Sequence, residues 1–180
     1  MEEWTQKALA LGFTAAAPLN PAQLCARQDV RDMCAADRCH AYGKNWTCPP
    51  ECGTLDECAR RLQGYPRGLL VQTTGTLEDS FDYEGMMELE KRHLSYFHAF
   101  CAQVREVFPD ALCLGTGGCR ICKRCAYPEP CRVPEQAVSS MEAYGLLVSE
   151  VCTQCGVPYY YGANHLSYTA CVLFSHEKKE

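Results

Sequence analysis

No run of about 18 apolar residues occurs anywhere in the chain, so no segment has the length and hydropathy of a bilayer-spanning helix. The opening stretch "MEEWTQKALALGF" starts acidic and lacks both the basic beginning and the unbroken apolar core of a secretory leader. A cytoplasmic location without membrane attachment is the expectation. Basic excess is missing too: 17 Lys and Arg stand against 22 Asp and Glu, for a net charge of −5 and a pI of about 5.6. Binding nucleic acid requires positive charge concentrated on one surface, and no basic stripe is present, so nucleic acid is not an expected partner. The "GTGG" stretch at Gly115–Gly118 lacks the lysine and hydroxyl of a phosphate-binding loop, and the C-x3-C-x2-C trio of radical S-adenosylmethionine enzymes is also absent. There is no low-complexity linker, and no internal repeat beyond two groups of cysteines.

What the chain has in excess is cysteine, 15 in 180 residues. With 47% hydrophobic residues the chain can build one full core and bury roughly 70% of its unfolded surface, so metal is not needed to compensate for a shortage of apolar side chains. An odd number of thiols, crowded at gaps of two to five residues in a cytoplasmic setting, points to metal or redox chemistry and away from a disulfide scaffold.

Apolar periodicity predicts a single α+β or α/β domain over residues 1–180, with a small central sheet, helices, and cysteine-rich loops at one end. Trp4–Leu11 reads as a helix stopped by Gly12, and Phe13–Leu19 as a strand. Asn20 followed by Pro21 reads as the cap and first position of a helix that delivers Cys34. Gly68–Gly75 and Ala111–Gly118 read as strands. Between them Met86, Leu89, His93, Phe97, Phe100, Val104 and Phe108 recur at helical spacing, with Asp79 or Ser80 as cap and Pro109 as stop. Short helices are expected over Ser139–Gly145 and near Cys152, and a last strand over Leu166–Phe174.

The more specific cysteine group is "GGCRICKRCAYPEPCRVP". Cys119, Cys122 and Cys125 form C-x2-C-x2-C, and Cys131 follows after five residues. Thiolates at strict x2 spacing wrap a loop around one compact object, as in the ferredoxin run C-x2-C-x2-C-x3-C-P, whereas zinc usually takes two separated C-x2-C knuckles. Because the fourth cysteine of such a run can serve a neighbouring cluster, Cys152, Cys155 and Cys171 are reserve ligands. Gly115–Gly118 lets backbone N–H groups approach a cluster, and Arg120, Lys123, Arg124 and Arg132 offset thiolate charge. The other group reads Cys34-x4-Cys39-x8-Cys48-x3-Cys52-x5-Cys58 and fits no simple zinc or ferredoxin spacing. "CPPEC" denies a helix between two thiols, as a metal loop prefers. Cys34, Cys39, Cys48 and Cys52 are the first choice of four ligands, with Cys58 as alternate and His40 and His165 as weaker candidates.

Taken in order, "CHAYGKNWTCPPECGTLDEC", "LVQTTGTLEDSFDYEGMMELEKRH", "GTGGCRICKRCAYPEPCRVP", "SSMEAYGLLVSEVC" and "PYYYGANHLSYTAC" resemble the cysteine-rich predicted metal-binding proteins of anaerobes, a family classed as a domain of unknown function (family 2284). The resemblance covers nearly the whole chain. It implies iron–sulfur or other metal binding in an anaerobic setting, supplies no reaction, and carries over Cys34, Cys39, Cys48, Cys119, Cys122, Cys125 and Cys131; Cys155 has no place in its pattern. Three readings follow. The favoured one is an iron–sulfur protein with two [4Fe-4S] clusters that passes electrons to a redox partner protein. A zinc-stabilised interaction module is the second. The third is an enzyme with an open iron position and a substrate wall of Tyr159, Tyr160, Tyr161, Asn164 and His165. The acidic "LEDSFDYEGMMELE" reads first as a helix start favoured by the dipole, and second as a docking surface for a redox partner.

Overall fold

The apolar runs "GLLV" and "ACVLF" are buried on both sides and become the two central strands of a mixed sheet. The computed structural model describes residues 1–175. Its elements are α1 (Glu2–Leu11), β1 (Ala15–Leu19), α2 (Gln28–Ala35), α3 (Leu55–Gln63), β2 (Arg67–Thr76), α4 (Tyr83–Val107), β3 (Leu112–Gly115), β4 (Ser139–Ser140), α5 (Val148–Gln154) and β5 (His165–Phe174). The strand order is β1-β2-β5-β3-β4. β2 pairs antiparallel with β1 and β5, β5 pairs antiparallel with β3, and β3 pairs parallel with β4. β2, α4 and β3 therefore form a strand–helix–strand crossover with β5 inserted between its two parallel strands. Antiparallel pairing dominates, so the fold is α+β.

Alternation along the central strands sends residues to two cores. Leu69 and Val71 of β2, with Ala170, Val172 and Phe174 of β5, face α1 and α4. Leu70, Cys171 and Leu173 face α3, α5 and the turns that flank them. On the first face Trp4 meets Phe100 and Phe108 edge-on, each with ring centroids 6.0 Å apart. A sheet covered on both sides makes strands read as continuous apolar runs, because neither face is left to water. No helix of the described residues is long and apolar enough to cross a membrane.

The structure differs from the sequence expectation at four places. Asn20 does cap a turn, its Oδ1 accepting from Ala22 N–H at 3.1 Å, but the turn is a three-residue 3-10 helix and the helix that delivers Cys34 starts afresh at Gln28. The cap of α4 is Asp82, accepting from Gly85 N–H, rather than Asp79 or Ser80. Ser139–Gly145 is not one helix: it is β4 followed by a 3-10 turn over Glu142–Tyr144, since parallel pairing with β3 extends the backbone at Ser139 and Ser140. α3 is the element without an expectation, although Thr54 and Glu57 form a complete capping box at its start.

His93 of α4 is fully buried. Its Nδ1 shares a 2.9 Å hydrogen bond with Thr73 Oγ1, its ring stacks on Phe97, and its Nε2 has no partner among the described residues. Burial lowers its pKa to about 4, which keeps the folded imidazole neutral. An unfolded histidine takes up a proton below about pH 6.5. The unfolded chain therefore binds the proton first, and the contribution to stability is full above that pH and is lost as pH falls toward 4. Between pH 7 and 5 the native protein should lose about 2 kcal/mol of unfolding free energy that His93→Leu does not lose. Urea unfolding under reducing conditions at the two pH values measures this, and parallel losses in both proteins would refute it.

Candidate metal centre

The loop after α2 holds its shape through short polar side chains rather than apolar packing. Asp37, with φ of 48°, accepts Tyr42 N–H at 2.9 Å on Oδ1 and Lys44 Nζ at 2.8 Å on Oδ2. The Lys44 contact, followed by the Tyr42 amide, holds the Asp37 carboxyl below the usual carboxylate range. Asn45 Oδ1 accepts both the N–H and the hydroxyl of Thr47, each at 3.0 Å, and Cys48 N–H donates to Asn45 O. These turns bring Cys39 and Cys48 to face Cys34, which comes from the last turn of α2.

Cys34, Cys39 and Cys48 line one cavity of about 290 Å³. Its opposite wall is Gly117 and Gly118, which follow β3, and its floor is Ser140, which ends β4, with Glu142 and Ala143, which follow it. Cys34 Sγ donates to Glu142 O at 3.8 Å. A Cβ at Gly118 would stand 3.7 Å from Cys48 Sγ, so the backbone there lies directly on the sulfur. Burial raises the Cys34 thiol, and burial together with the Cys39 thiol pushes Cys48 up to about 11. Thiols that are desolvated and oppose one another's ionisation keep their protons until a cation offsets the charge, as metal-binding cysteines do.

Cys119, Cys122, Cys125 and Cys131 line a second cavity of about 20 Å³, room for about one water molecule. Its far wall is Asn45, Trp46 and Thr47 of the first loop. The two loops are fastened to each other: Cys119 N–H donates to Thr47 Oγ1 at 3.4 Å, Trp46 Nε1 to Glu129 O at 2.8 Å, and Tyr127 Oη to Glu51 Oε1 at 3.1 Å. The Trp46 and Tyr127 rings meet edge-on at 5.1 Å. Arg132 Nη1 donates to Arg124 O at 3.1 Å, closing the loop on itself, and Arg120 pairs with Glu90 of α4 at 2.8 Å. The two chambers thus stand back to back, divided by Asn45–Cys48 on one side and Gly117–Cys119 on the other. No carboxylate or imidazole lines the second chamber, and an all-thiol donor set suits soft metals such as zinc, copper(I) or iron in a sulfide cluster. Among the described residues no three His, Cys, Asp or Glu side chains converge closely enough, as they stand, to hold a single ion.

Cys52 does not line the first chamber. Its thiol donates to Ala143 O at 3.6 Å and lies beside Cys58, whose own thiol donates to Cys52 O at 3.8 Å. Both sulfurs face the buried Arg31, whose Nη1 stands 3.9 Å from Cys52 Sγ and 3.7 Å from Cys58 Sγ. The adjacent Cys52 thiol and the guanidinium draw Cys58 below the usual thiol range; the same pairing and burial hold Cys52 above it. Of the reserve ligands, Cys152 and Cys171 are fully buried in the core against α5, and Cys155 packs against that core. None of these three, nor His40 or His165, lines either chamber. The same is true of Tyr159, Tyr160, Tyr161 and Asn164; the three tyrosines are exposed, and Tyr161 Oη donates to Gln72 Oε1. Sequence reading missed Arg31, Trp46, Thr47 and Tyr127. The available signals were an arginine three residues before Cys34 on the same helix face, and aromatic residues inside cysteine loops that have no apolar stripe to join.

Arg31 also donates from Nη1 to Ala143 O at 2.7 Å and from Nη2 to Gly53 O at 2.8 Å. Arg31→Met leaves Gly53 O without its side-chain donor and Ala143 O with only the weak Cys52 thiol, at a cost of about 1–3 kcal/mol for each lost bond, so the unfolding free energy should fall by about 3 kcal/mol in anaerobic urea titrations. A change within about 0.5 kcal/mol, typical of a surface site, would show that the carbonyls are solvated by other means.

Neither the curated proteins nor the solved structures include a match to the chain. A family model described as "Predicted metal-binding protein (DUF2284)" matches residues 17–174, a span that contains both thiol chambers and the sheet that carries them. The chain belongs to this family of predicted metal-binding proteins.

Proposed function

We propose that the protein is an iron–sulfur protein with a cluster in each chamber, and that it passes electrons to a redox partner protein. The observation that carries this reading is the all-sulfur chamber built from C-x2-C-x2-C-x5-C and backed, across a shared wall, by a second chamber of thiols. Cys119, Cys122, Cys125 and Cys131 would hold one [4Fe-4S] cluster, and Cys34, Cys39 and Cys48 the other, with Cys52 the nearest remaining thiol of its group. Such clusters supply one-electron chemistry when bound. A single zinc ion about 2.3 Å from each of four sulfurs would draw them to about 3.8 Å from one another. A cubane instead caps a different iron with each sulfur and would require the second chamber to widen from its present volume of about 20 Å³; the C-x2-C-x2-C spacing is what favours it.

The rest of the chain suits this task. Gly117 and Gly118 let backbone reach the first chamber without side chains intervening, and backbone N–H groups near cluster sulfurs raise the potential. Because Cys48 and Cys119 are close enough for charge on one to oppose ionisation of the other, the two centres would be neighbours, as a relay requires. Arg132 lines the second chamber and, with Lys123 and Arg124 of the same loop, would offset the charge of an anionic centre, while Arg120 is engaged by Glu90.

Protein purified without oxygen should be brown, absorb broadly near about 400 nm, and carry about eight irons with matching acid-labile sulfide. Colourless protein with stoichiometric zinc and no sulfide would overturn the reading. Cys122→Ser should remove about half of the iron while the other cluster's electron paramagnetic resonance (EPR) signal persists, because the chambers have separate ligand sets. Equal loss of both signals would mean shared ligands or one larger cluster.

A further inference from the structure

The two chambers are not equivalent. The second is lined by four thiols and leaves about 20 Å³; the first is lined by three and leaves about 290 Å³. The fourth cysteine that the spacing offers to the first chamber, Cys52, is turned away from it: its sulfur donates to Ala143 O, faces Arg31, and pairs with Cys58. Arg31 in turn is fixed by two carbonyls, at 2.7 and 2.8 Å. Cys52 is thus engaged by a buried, hydrogen-bonded group rather than left free to swing inward. The space not claimed by a fourth sulfur is mostly apolar, with Val30, Met33 and Tyr42 on its walls. Arg38 and Glu142 are the charged residues that line it, and Arg38 has no carboxylate partner within ion-pair distance among the described residues.

We infer that the first chamber is a three-thiolate centre whose fourth coordination position is open and takes a small ligand with one anionic donor atom, placed by Arg38. This deepens the iron–sulfur reading and rests on it. The physical logic is the one that separates structural from catalytic metal sites: full protein ligation closes the first kind, and a missing protein ligand with space beside it marks the second. A Lewis-acidic metal at that position favours an anionic donor, and the guanidinium at the rim adds to the attraction. The second chamber, with its four thiols and no such space, has the features of the closed kind. The pair would then divide the work, one centre binding a ligand and its neighbour exchanging electrons with it.

The test uses the full-length protein, purified anaerobically and reduced, with cyanide as the probe and EPR and iron content as readouts. In the native protein, cyanide is expected to shift the signal of one of two clusters and leave the other unchanged. That responsive cluster should survive in Cys122→Ser and disappear in Cys39→Ser. Cys52→Ala should keep about eight irons and the same cyanide response. Arg38→Leu should keep the iron and weaken cyanide binding about tenfold. If neither cluster responds in the native protein, or if Cys52→Ala loses half of the iron, Cys52 or another protein group caps the site; the open-position inference falls while the two-cluster reading stands. Unchanged cyanide affinity in Arg38→Leu overturns the anionic-ligand assignment. Protein that contains zinc and no sulfide overturns both readings at once.

Discussion

The buried guanidinium of Arg31 is the contact on which the cysteine-bearing end of the molecule depends. It lies on α2, and its two donated hydrogen bonds reach Gly53, just after the first cysteine loop, and Ala143, in the turn that follows β4. Three segments remote in sequence are therefore held at fixed separation by one planar, forked donor. Burying a charge is costly unless its donors are satisfied, and here the acceptors are backbone carbonyls, of which Ala143 O would keep only the weak Cys52 thiol without it. Cys34 follows Arg31 by three residues on the same helix, so fixing the guanidinium also fixes the side from which the Cys34 sulfur approaches Glu142 O.

The thiol chambers have no regular structure of their own to rely on. Each cysteine loop instead supplies a wall of the other's chamber, and the fastening is made by Thr47, Trp46 and Tyr127 rather than by apolar side chains in series. α4 provides the rigid backing: Arg120 of the second loop pairs with Glu90, and Arg105 donates to Glu135 O further along it. A 25-residue helix packed through Phe97, Phe100 and Val104 into the larger core can hold such a loop in place because its own position is set independently of any metal. The 3-10 turn at Glu142–Tyr144 is fixed similarly. It ends at Gly145, whose φ is 76° and whose carbonyl accepts Arg27 N–H at 2.8 Å; an added Cβ there would meet Arg27 N at 2.9 Å.

The first chamber sits just beyond the carboxyl ends of the parallel pair β3 and β4. Gly117 and Gly118 leave one strand and Ser140, Glu142 and Ala143 belong to or leave the other. The cavity lies between the segments that leave these two strands, and in larger sheets ligands likewise collect outside the carboxyl ends of parallel strands. A two-residue strand such as β4 contributes little stability, yet it decides where that cavity lies. The sheet is thus scaffold at its centre and site-forming at one edge.

Much of the scaffold was legible in the order of residues. The period of α4, the two-sided burial of "GLLV" and "ACVLF", the stop at Gly12 and the grouping of Cys119, Cys122, Cys125 and Cys131 all follow from local pattern, because helix period, strand burial and ligand spacing are properties of neighbours in sequence. The restart of the helix at Gln28 and the pairing of Ser139 with Leu114 were not legible, since both depend on partners distant along the chain. The division of the first cysteine group was hidden for the same reason. Spacing alone ranks Cys52 with Cys34, Cys39 and Cys48, and only the arrival of Arg31 and Ala143 from outside the loop turns that sulfur toward Cys58. Sequence by itself determined that this is a cysteine-rich chain of a predicted metal-binding family on a mixed α and β scaffold. Tertiary structure decided which thiols share a chamber, because sulfurs share a chamber through contacts between separate segments and not through their spacing within one.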